Sequence, residues 1–510
     1  MSIISLTFQL HCPILDAANF QQNNQACYQP LFALLERNVQ KYADFRAALV
    51  ISGPWLDQAE KYDPELITRL KKLIASHKIE LIASPYYHSL AFFYDPAEFE
   101  AEVWLCQERF RELFDIECPT FAHTDFIYND QIGQWVSASG FQNILIGASM
   151  STLGQYSTNH LYDVAGKSAN TKILCRHTEL SDHIMFDFAS LRQAKTSDSV
   201  QYFNKLINKS SLWGNLINLI LDAEIFRQHR SAGIIQFLDA LILAWLQNPH
   251  YQLVNPANIS QFDDAQIALS IKNTVSWWDE LTSAYPHRQP GLVRSRDFVF
   301  QPPQYLQSLQ QHTLQQQLYQ LKHQIFRTED EDLINDFCAK TSIDYLYDSS
   351  DNYLMRSWIS EARNHRPLSQ NLTQAISDLN QRLLNWQAEK RANVIAPQII
   401  KNTNHPEDFK ISPESANIPV KIIKNPKKPQ PTKTTAQDKN TQEHPDDFQV
   451  AINFTKKNTT KNPTQASPIS KNPTPKTSVQ DAILEIDNEP STKKPQTRSS
   501  RQIRWKLVIE

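Results

Sequence analysis

The chain has 510 residues, of which 41% are hydrophobic and 21% charged, with a formal net charge of −3. This length predicts two to three domains rather than one. Only 9 residues are glycine, the last of them Gly291. Phosphate loops of the P-loop or dinucleotide type need several glycines in a short window, so the composition excludes them. The scarcity reflects either compositional drift toward Asn, Lys, Ile and Gln or a chain built largely of helices and a disordered tail.

Charge divides the chain into an acidic body and a basic tail. Residues 401–510 carry 19 Lys and Arg against 12 Asp and Glu, which leaves 32 against 42 for residues 1–400. Fourteen of the 28 prolines lie at or beyond Pro397, among Lys, Thr, Asn and Gln. Such a segment buries too little apolar surface to offset its ordering entropy, so we predict a disordered tail over residues 397–510.

The lysines of this tail are dispersed and allow two interpretations. The tail is either a solvated linker or a weak, salt-sensitive binder of an anionic protein partner, and it indicates no specific nucleic acid. Residues 501–510, RQIRWKLVIE, regain apolar alternation and could add as a strand to a partner or to the body.

The cysteines and the apolar runs indicate the cellular compartment in which the protein is located. Six cysteines are scattered without a CxxC pair, which is typical of reduced thiols: Cys12, Cys27, Cys106, Cys118, Cys175 and Cys338. The first residues, MSIISLTFQLHCP, do not resemble a signal peptide. The most apolar run, Gly233–Gln247, contains Gln236 and Asp239 and is too short to cross a bilayer. We therefore expect a cytoplasmic protein with no membrane contact.

Buried strands and amphipathic helices alternate along the first 295 residues. The apolar run Ile3–Leu10 predicts a strand, LFALLERNVQKY a helix and AALVISG a second strand. The alternation continues through ELITRLKKLIASH, IELIASPYYHSL, DPAEFEAEVWLCQERFRELF, CPTFAHTDFIYND, DQIGQWVSASG and QNILIGA. Strands separated by helices indicate a parallel sheet with right-handed crossovers. We predict an α/β fold in which a seven-stranded (β/α) barrel-like parallel domain occupies residues 1–295.

Beyond this domain the pattern becomes entirely helical. The segments QYLQSLQQHTLQQQLYQLKHQIF and NLTQAISDLNQRLLNWQAEK place apolar residues three and four apart, without strand signals. They predict a helical bundle domain over residues 296–396, packed over the candidate site.

Polar side chains follow several of the predicted strands. In parallel α/β folds ligands lie at the carboxyl ends of the strands, so these residues are the candidates: His11, His88, Asp125, Asp222 and Glu224. Two carboxylates with histidines and aromatics beside them suit glycoside hydrolysis, and Asp125 and Asp222 are the pair we favour.

Each aspartate also has a simpler interpretation. Asp125 could cap the helix that begins near Asn129 or Asp130, and Asp222 could be a solvated acid at a strand end.

Ordered motifs over roughly residues 1–390 resemble those of glycoside hydrolase family 57, the α-amylase-like and glucanotransferase-like group. FQLHCP is similar to the family's F-Q-x-H-Q-P, SPYYHS contains its Y-Y-H-S, and FAHTDFIYNDQIG resembles F-R-N-T-E-L-I-Y-x-D-E-I. LILDAEIFRQH resembles L-F-M-D-Y-E-T-F-G-E-H, Ser276-Trp277 fits a later S-W, and AKTSIDYLYDSS is similar to Q-T-S-D-H-F-Y-Y.

The resemblance implies a fold, a reaction and a set of roles. It implies a seven-stranded barrel with a helical domain packed over the site, and a retaining reaction on an α-glucan or maltooligosaccharide without metal or cofactor. Asp125 falls at the nucleophile and Asp222 at the general acid. Five further residues fall at substrate-binding positions: His11, His88, Glu224, His229 and Trp277.

Other interpretations of these residues stay open. Each histidine could simply be hydrogen-bonded at a strand end, and Trp277 and Trp278 could be either a sugar platform or ordinary core. Two histidines and an aspartate could also form a zinc site, as in related deacetylase or mannosidase barrels. Such sites use His-x-Asp or a closely spaced histidine pair, and position 13 is Pro, so we expect no metal.

The chain departs from the family pattern at the site itself. Asp125 replaces Glu, which withdraws the carboxylate by about 1.5 Å, and a misplacement near 1 Å costs on the order of a hundredfold in rate. Ala223 replaces Tyr. Arg227 replaces Gly, and a guanidinium beside Asp222 would favour the ionised form, the wrong direction for a general acid.

The late motif carries a fourth departure. Ile343 occupies the family's Asp position, unless Asp344 substitutes by a one-residue shift. Two hypotheses follow. The chain is an α-glucan-acting hydrolase or transglycosylase of weak activity, or it is a catalytically inactive relative that binds glucan or scaffolds a partner.

Overall fold

A computed structural model describes residues 1–147, 153–166, 171–262, 267–278, 309–347 and 371–402. All of these residues belong to one compact unit. The predicted domain boundary at residue 295 and the predicted tail beyond Asn402 lie outside the described residues.

The strands form two sheets. In chain order the strands are β1 (Ser2–Leu10), β2 (Ala47–Ile51), β3 (Ile79–Ile82), β4 (Thr120–Ala122), β5 (Asn143–Ile146), β6 (Leu161–Val164), β7 (Lys172–Cys175), β8 (Leu216–Asp222), β9 (Tyr251–Leu253) and β10 (Ala268–Leu269). The first sheet has the order β3-β2-β1-β8, with β9 beside the start of β1, and the second has the order β10-β6-β7-β5-β4. Only the β6–β7 pair is antiparallel among the described pairs.

Backbone hydrogen bonds join the two sheets into a ring. A parallel bridge pairs Ala83, just after β3, with Phe121 of β4. On the other side, the His177 amide after β7 donates to the Asn218 carbonyl of β8 at 2.7 Å. The ring therefore runs β8-β1-β2-β3-β4-β5-β7, and all seven strands are parallel. The predicted seven-stranded barrel is confirmed.

The barrel core follows from apolar strands that are buried on both faces. Every residue of β1 and of β8 is buried, as expected for parallel strands covered by helices. Gln9 of β1 lies in register with Asp222 of β8, so these strands end side by side. This register places the residues that follow β1 next to the end of β8.

Helices fill the connections and cover the ring. The α-helices span Ala17–Asn23, Gln29–Lys41, Gly53–Tyr62, Pro64–Ala75, Ala91–Tyr94, Pro96–Phe114, Asp130–Ala138, Thr178–Met185, Phe188–Leu191, Thr196–Ser210, Ile225–Gln228, Ile234–Gln247, Leu309–Phe326, Glu331–Lys340, Asp344–Tyr347 and Leu372–Asn402. A π-helical turn spans Asn24–Tyr28, and 3₁₀ turns span Thr124–Phe126, Ser211–Trp213 and Pro256–Gln261.

Two of these helices bear on the sequence predictions. Asn129 caps the helix Asp130–Ala138, because its side chain accepts the amides of Gln131 and Ile132. The interpretation of Asp125 as that cap is therefore wrong. The helix Leu372–Asn402 continues past the predicted end near Pro397. Within the described segments, no helix combines the length and apolarity needed to cross a membrane.

Candidate active site

Asp125 is the most constrained side chain at the carboxyl end of the barrel. It follows β4 in a 3₁₀ turn, is 1% exposed, and has left-handed backbone angles of φ 51° and ψ 25°. Its Oδ2 accepts two hydrogen bonds, from Trp278 Nε1 at 2.9 Å and from Tyr347 Oη at 2.6 Å. Phe126 is also left-handed, with φ 52°. The chain therefore adopts an unfavourable backbone to aim this carboxylate.

His88 lies next to Asp125 and stacks on His11. Its Nε2 lies 3.7 Å from Asp125 Oδ1. The rings of His11 and His88 are 3.9 Å apart between centroids and inclined by 25°. His88 is itself left-handed, with φ 57°, in the turn that follows β3. Three of the predicted site residues are thus brought together from the ends of β1, β3 and β4.

His11 is held at both ring nitrogens. Its Nδ1 lies 2.9 Å from Ser52 Oγ, and its Nε2 lies 2.7 Å from Asp344 Oδ2. Ser, His and Asp in a row resemble a hydrolytic triad, but the carboxylate is the most exposed of the three and the serine is buried. In a hydrolytic triad the serine must be accessible to substrate and the carboxylate buried, which is the opposite of the exposure seen here. Ser52 therefore anchors the ring of His11.

Asp344 is the acid that the helical region contributes. Burial alone would raise its pKa, but the adjacent His11 and the hydroxyl of Ser342 hold the pKa of this carboxyl well below its usual range. Ile343 is fully buried and donates its amide to the His88 carbonyl at 3.0 Å. Of the two residues that the late motif offers, Asp344 is the one whose side chain contacts a predicted site residue, His11.

Asp222 ends β8 and is 7% exposed, so it is not a solvated acid. Its Oδ1 accepts the amide of Glu224 at 2.8 Å. The guanidinium of Arg227 forms an ion pair with Glu224 and donates to Asn23 Oδ1 at 2.5 Å. We expected Arg227 to act on Asp222; its contacts instead lie on Glu224, three residues before it in a short helix, where the helical spacing brings the two side chains together.

His229 and Trp277 have mainly structural surroundings. His229 Nε2 donates to the Met185 carbonyl at 2.8 Å, and its ring packs on Phe188. Trp277 is 5% exposed and packs on Phe126 with 5.3 Å between ring centroids. These contacts favour a core role for Trp277 over a sugar platform.

Some site residues were not among the predicted ones. Tyr347 lies within the late motif and donates to Asp125, as does Trp278, for which only a sugar platform or a core role was considered. Arg176 follows β7, is fully buried, and lies 5.6 Å from the centre of the Trp277 ring. Its position at a strand end was the signal that could have identified it. Burial lowers the pKa of His123 to about 3, so this ring beside Asp125 is neutral.

Among the side chains that the structure describes, no three His, Cys, Asp or Glu residues converge as ligands for a metal ion.

Sequence comparison matches residues 11–272 to the family described as Glycosyl hydrolase family 57. A protein of Methanocaldococcus jannaschii named "Putative alpha-amylase" is 28% identical over 270 residues, which cover 51% of this chain and 56% of that protein. The chain thus spans little more than half the length of this relative.

Solved structures share the fold at low identity. A GH57 branching enzyme of Thermococcus kodakaraensis has a TM-score of 0.53 at 8% identity, over 75% of this chain and 94% of the other. An α-amylase of Thermotoga maritima has a TM-score of 0.51 at 11% identity, over 77% of this chain and 94% of the other. A 4-α-glucanotransferase of Thermococcus litoralis has a TM-score of 0.50 at 11% identity, over 68% of this chain and 56% of the other.

Proposed function

Because the chain belongs to glycosyl hydrolase family 57, we propose that it acts on α-glucans or maltooligosaccharides as a retaining, metal-independent glycoside hydrolase or transglycosylase. Asp125 is the nucleophile and Asp222 the general acid and base. The observation that carries this proposal is the buried carboxylate of Asp125, fixed at a strand end by Trp278 and Tyr347.

A nucleophilic carboxylate must be ionised and aimed, and the contacts of Asp125 favour both. Two donors on Oδ2 stabilise the negative charge and fix the plane of the carboxylate. Oδ1 lies on the side of His88 and is the atom that attacks the anomeric carbon. A covalent glycosyl intermediate then forms as the glycosidic bond breaks.

Asp222 completes the reaction from the opposite side of the barrel mouth. Its strand, β8, is the third neighbour of β4, by way of β7 and β5. Asp222 protonates the leaving oxygen and then takes a proton from water in hydrolysis or from a sugar hydroxyl in transfer. The Glu224 amide orients its carboxyl group. His88 binds a hydroxyl of the sugar, whereas His11, whose two ring nitrogens already contact Ser52 and Asp344, supports the His88 ring by stacking on it.

A catalytically inactive glucan-binding relative is the second candidate. The shorter side chain of Asp125 favours it, because a carboxylate withdrawn by about 1.5 Å lies outside the reach that a retaining pair requires. The ion pair of Glu224 with Arg227 favours it as well, because it occupies a carboxylate that would otherwise bind sugar.

One set of variants separates the two candidates. Wild type, Asp125→Glu and Asp222→Asn are incubated with maltoheptaose, and products are resolved by chain length. If the site is active, wild type releases shorter or longer sugars, Asp125→Glu raises turnover by orders of magnitude, and Asp222→Asn abolishes it. No product from wild type and Asp125→Glu, together with calorimetric binding of maltoheptaose, would support the inactive relative.

The compartment and the tail partner are further parts of this proposal. A cytoplasmic location is supported by the scattered cysteines, all of which are buried. Cell fractionation with detection of the protein tests it, and recovery in a membrane or extracellular fraction would contradict it. The basic tail supplies at most a weak, salt-sensitive contact with an anionic partner.

A further inference from the structure

The turn that carries His88 is held by a buried acid from a neighbouring helix. Glu102 lies on the helix Pro96–Phe114 and is 1% exposed. Its Oε2 accepts the amide of Tyr87 at 2.9 Å, and its Oε1 accepts the hydroxyl of Ser89 at 2.5 Å. These are the residues on either side of His88. One carboxyl group therefore fixes the backbone before and after the histidine.

His88 needs such support because its backbone is unfavourable. A left-handed conformation costs a non-glycine residue about 1–2 kcal/mol, which the surroundings must offset. The Ser89 carbonyl accepts Thr124 Oγ1 at 2.8 Å, which connects the same turn to the residue before Asp125. A change in this turn would alter the 3.7 Å approach of His88 to Asp125.

We propose that Glu102 is a positioning residue, which sets His88 against Asp125 by bonding Tyr87 and Ser89. The role in catalysis rests on the proposed function, whereas the geometric role does not. None of the strand-end motifs of the sequence includes Glu102, which lies on a helix behind the site.

The charges around Glu102 determine its ionisation. Glu98 lies on the same helix as Glu102. The helix Leu309–Phe326 contributes Tyr319 and Lys322, and Nζ of Lys322 lies 2.9 Å from Glu98. Burial, and then the charge of Glu98, raise the pKa of Glu102 to about 8 against the partial compensation of Ser89, Tyr87 and Lys322. Asp95 shares Lys322 at 2.7 Å. The raised pKa favours the neutral carboxyl form of Glu102 at pH 7.

A neutral carboxyl group keeps both hydrogen bonds, but in the bond with Ser89 the donor and the acceptor change places. Its hydroxyl donates to Ser89 Oγ, while the other oxygen accepts the Tyr87 amide. A glutamine places an NH₂ and an oxygen in the same positions. Glu102→Gln therefore mimics the neutral form, and Glu102→Leu removes both hydrogen bonds while conserving much of the volume.

The geometric test needs no substrate. Spectra of protein labelled with ¹⁵N-histidine are recorded by NMR at pH 7, and the His88 signals are assigned with His88→Asn. We expect Glu102→Leu to move the His88 signals, Glu102→Gln to keep them near wild type, and the His229 signals to stay unchanged in both. Glu108→Leu, on the same helix but at a surface ion pair with Arg111, is the matched control.

The catalytic test uses the same variants with maltoheptaose. Glu102→Leu should lower kcat by about 10- to 100-fold with KM within about threefold, because orientation rather than binding is lost. Glu102→Gln should restore kcat. Its activity should also persist above about pH 8, where wild type acquires a second negative charge beside Glu98 and declines.

The outcomes distinguish this proposal from the proposed function. A folded Glu102→Leu variant with His88 signals identical to wild type would overturn the positioning role. If that variant does not fold, Ser89→Ala removes one of the two contacts and must itself shift the His88 signals; unchanged signals there overturn the proposal equally. Shifted signals in a protein without turnover would leave the positioning role intact and refute the enzymatic function alone.

Discussion

The hydrogen bond between His11 and Asp344 joins the segment 341–347 to the end of the barrel, and Asp344→Asn should loosen this segment. The two side chains are 6% and 16% exposed and 2.7 Å apart, so the pair is largely desolvated. A hydrogen bond to a charged group stabilises by about 1.5–3 kcal/mol. Loss of about 2 kcal/mol corresponds to about a 30-fold increase in local opening.

The pH dependence follows from the depressed pKa of Asp344. Because the folded pKa lies below the ordinary value of 3.8, the stabilisation is present above about pH 4 and is lost as pH falls through the folded value. The difference between wild type and Asp344→Asn should therefore be constant near neutral pH and shrink below pH 4.

Hydrogen exchange read by mass spectrometry measures this locally. The reporter is the peptide over residues 341–347, which contains the Ile343 amide bonded to His88. Protection factors, rather than raw rates, are compared at pH 6 and pH 3. The control is Asp239→Asn, which breaks an exposed pair with Arg37 and should change protection by less than about fivefold. Equal protection of wild type and Asp344→Asn at pH 6 would refute the reasoning.

Three further changes test the site and the barrel that supports it. A Cβ at Gly147 would lie 2.1 Å from the backbone nitrogen of Trp277, so Gly147→Ala should lower the free energy of unfolding by about 1–3 kcal/mol in urea titrations. Tyr347→Phe removes a donor to Asp125 and should lower kcat/KM on maltoheptaose by about 10- to 100-fold. Burial raises the pKa of Glu80 from 4.5 to about 7, so wild type should lose stability from pH 4.5 to 7, and Glu80→Gln should remove that loss.

Each of these changes has a control or a refuting result. Gly140→Ala meets no atom within 4 Å and tests the strain of its φ of 87° alone. Unchanged kcat/KM in Tyr347→Phe would show that the hydroxyl does not orient Asp125. Parallel pH profiles of urea midpoints for wild type and Glu80→Gln would exclude this carboxyl group as the titrating one.

The strand-end residues could be predicted from local pattern because a parallel strand buried on both faces leaves a continuous apolar run. His11, His88, Asp125 and Asp222 each follow or end such a run, and the closed ring then places them at one end. The prediction that these residues lie at one end of the barrel required only that the strands run in the same direction. It did not require any contact between the residues to be inferred.

The contacts that hold Asp125 could not be found in this way. Trp278 and Tyr347 are 153 and 222 residues away from it in sequence, and their donation to Oδ2 depends on how two later segments pack on the barrel. Arg227 was misassigned for a related reason. Its partner depends on the helical turn Ile225–Gln228, which brings Glu224 rather than Asp222 to the guanidinium.

The scarcity of glycine acquires a specific meaning at the barrel end. Gly147 directly follows β5, and Gly53 lies two residues after the end of β2. A Cβ would lie 2.1 Å from the backbone of Trp277 at Gly147 and 2.1 Å from the Tyr86 ring at Gly53. Only a residue without Cβ allows those close approaches. Gly147 thus lets the segment of Trp277 and Trp278, which donates to Asp125, pack against the end of β5. Asp125→Glu adds one methylene while Trp278 and Tyr347 stay in the chain, so a gain in turnover would be due to the length of this side chain.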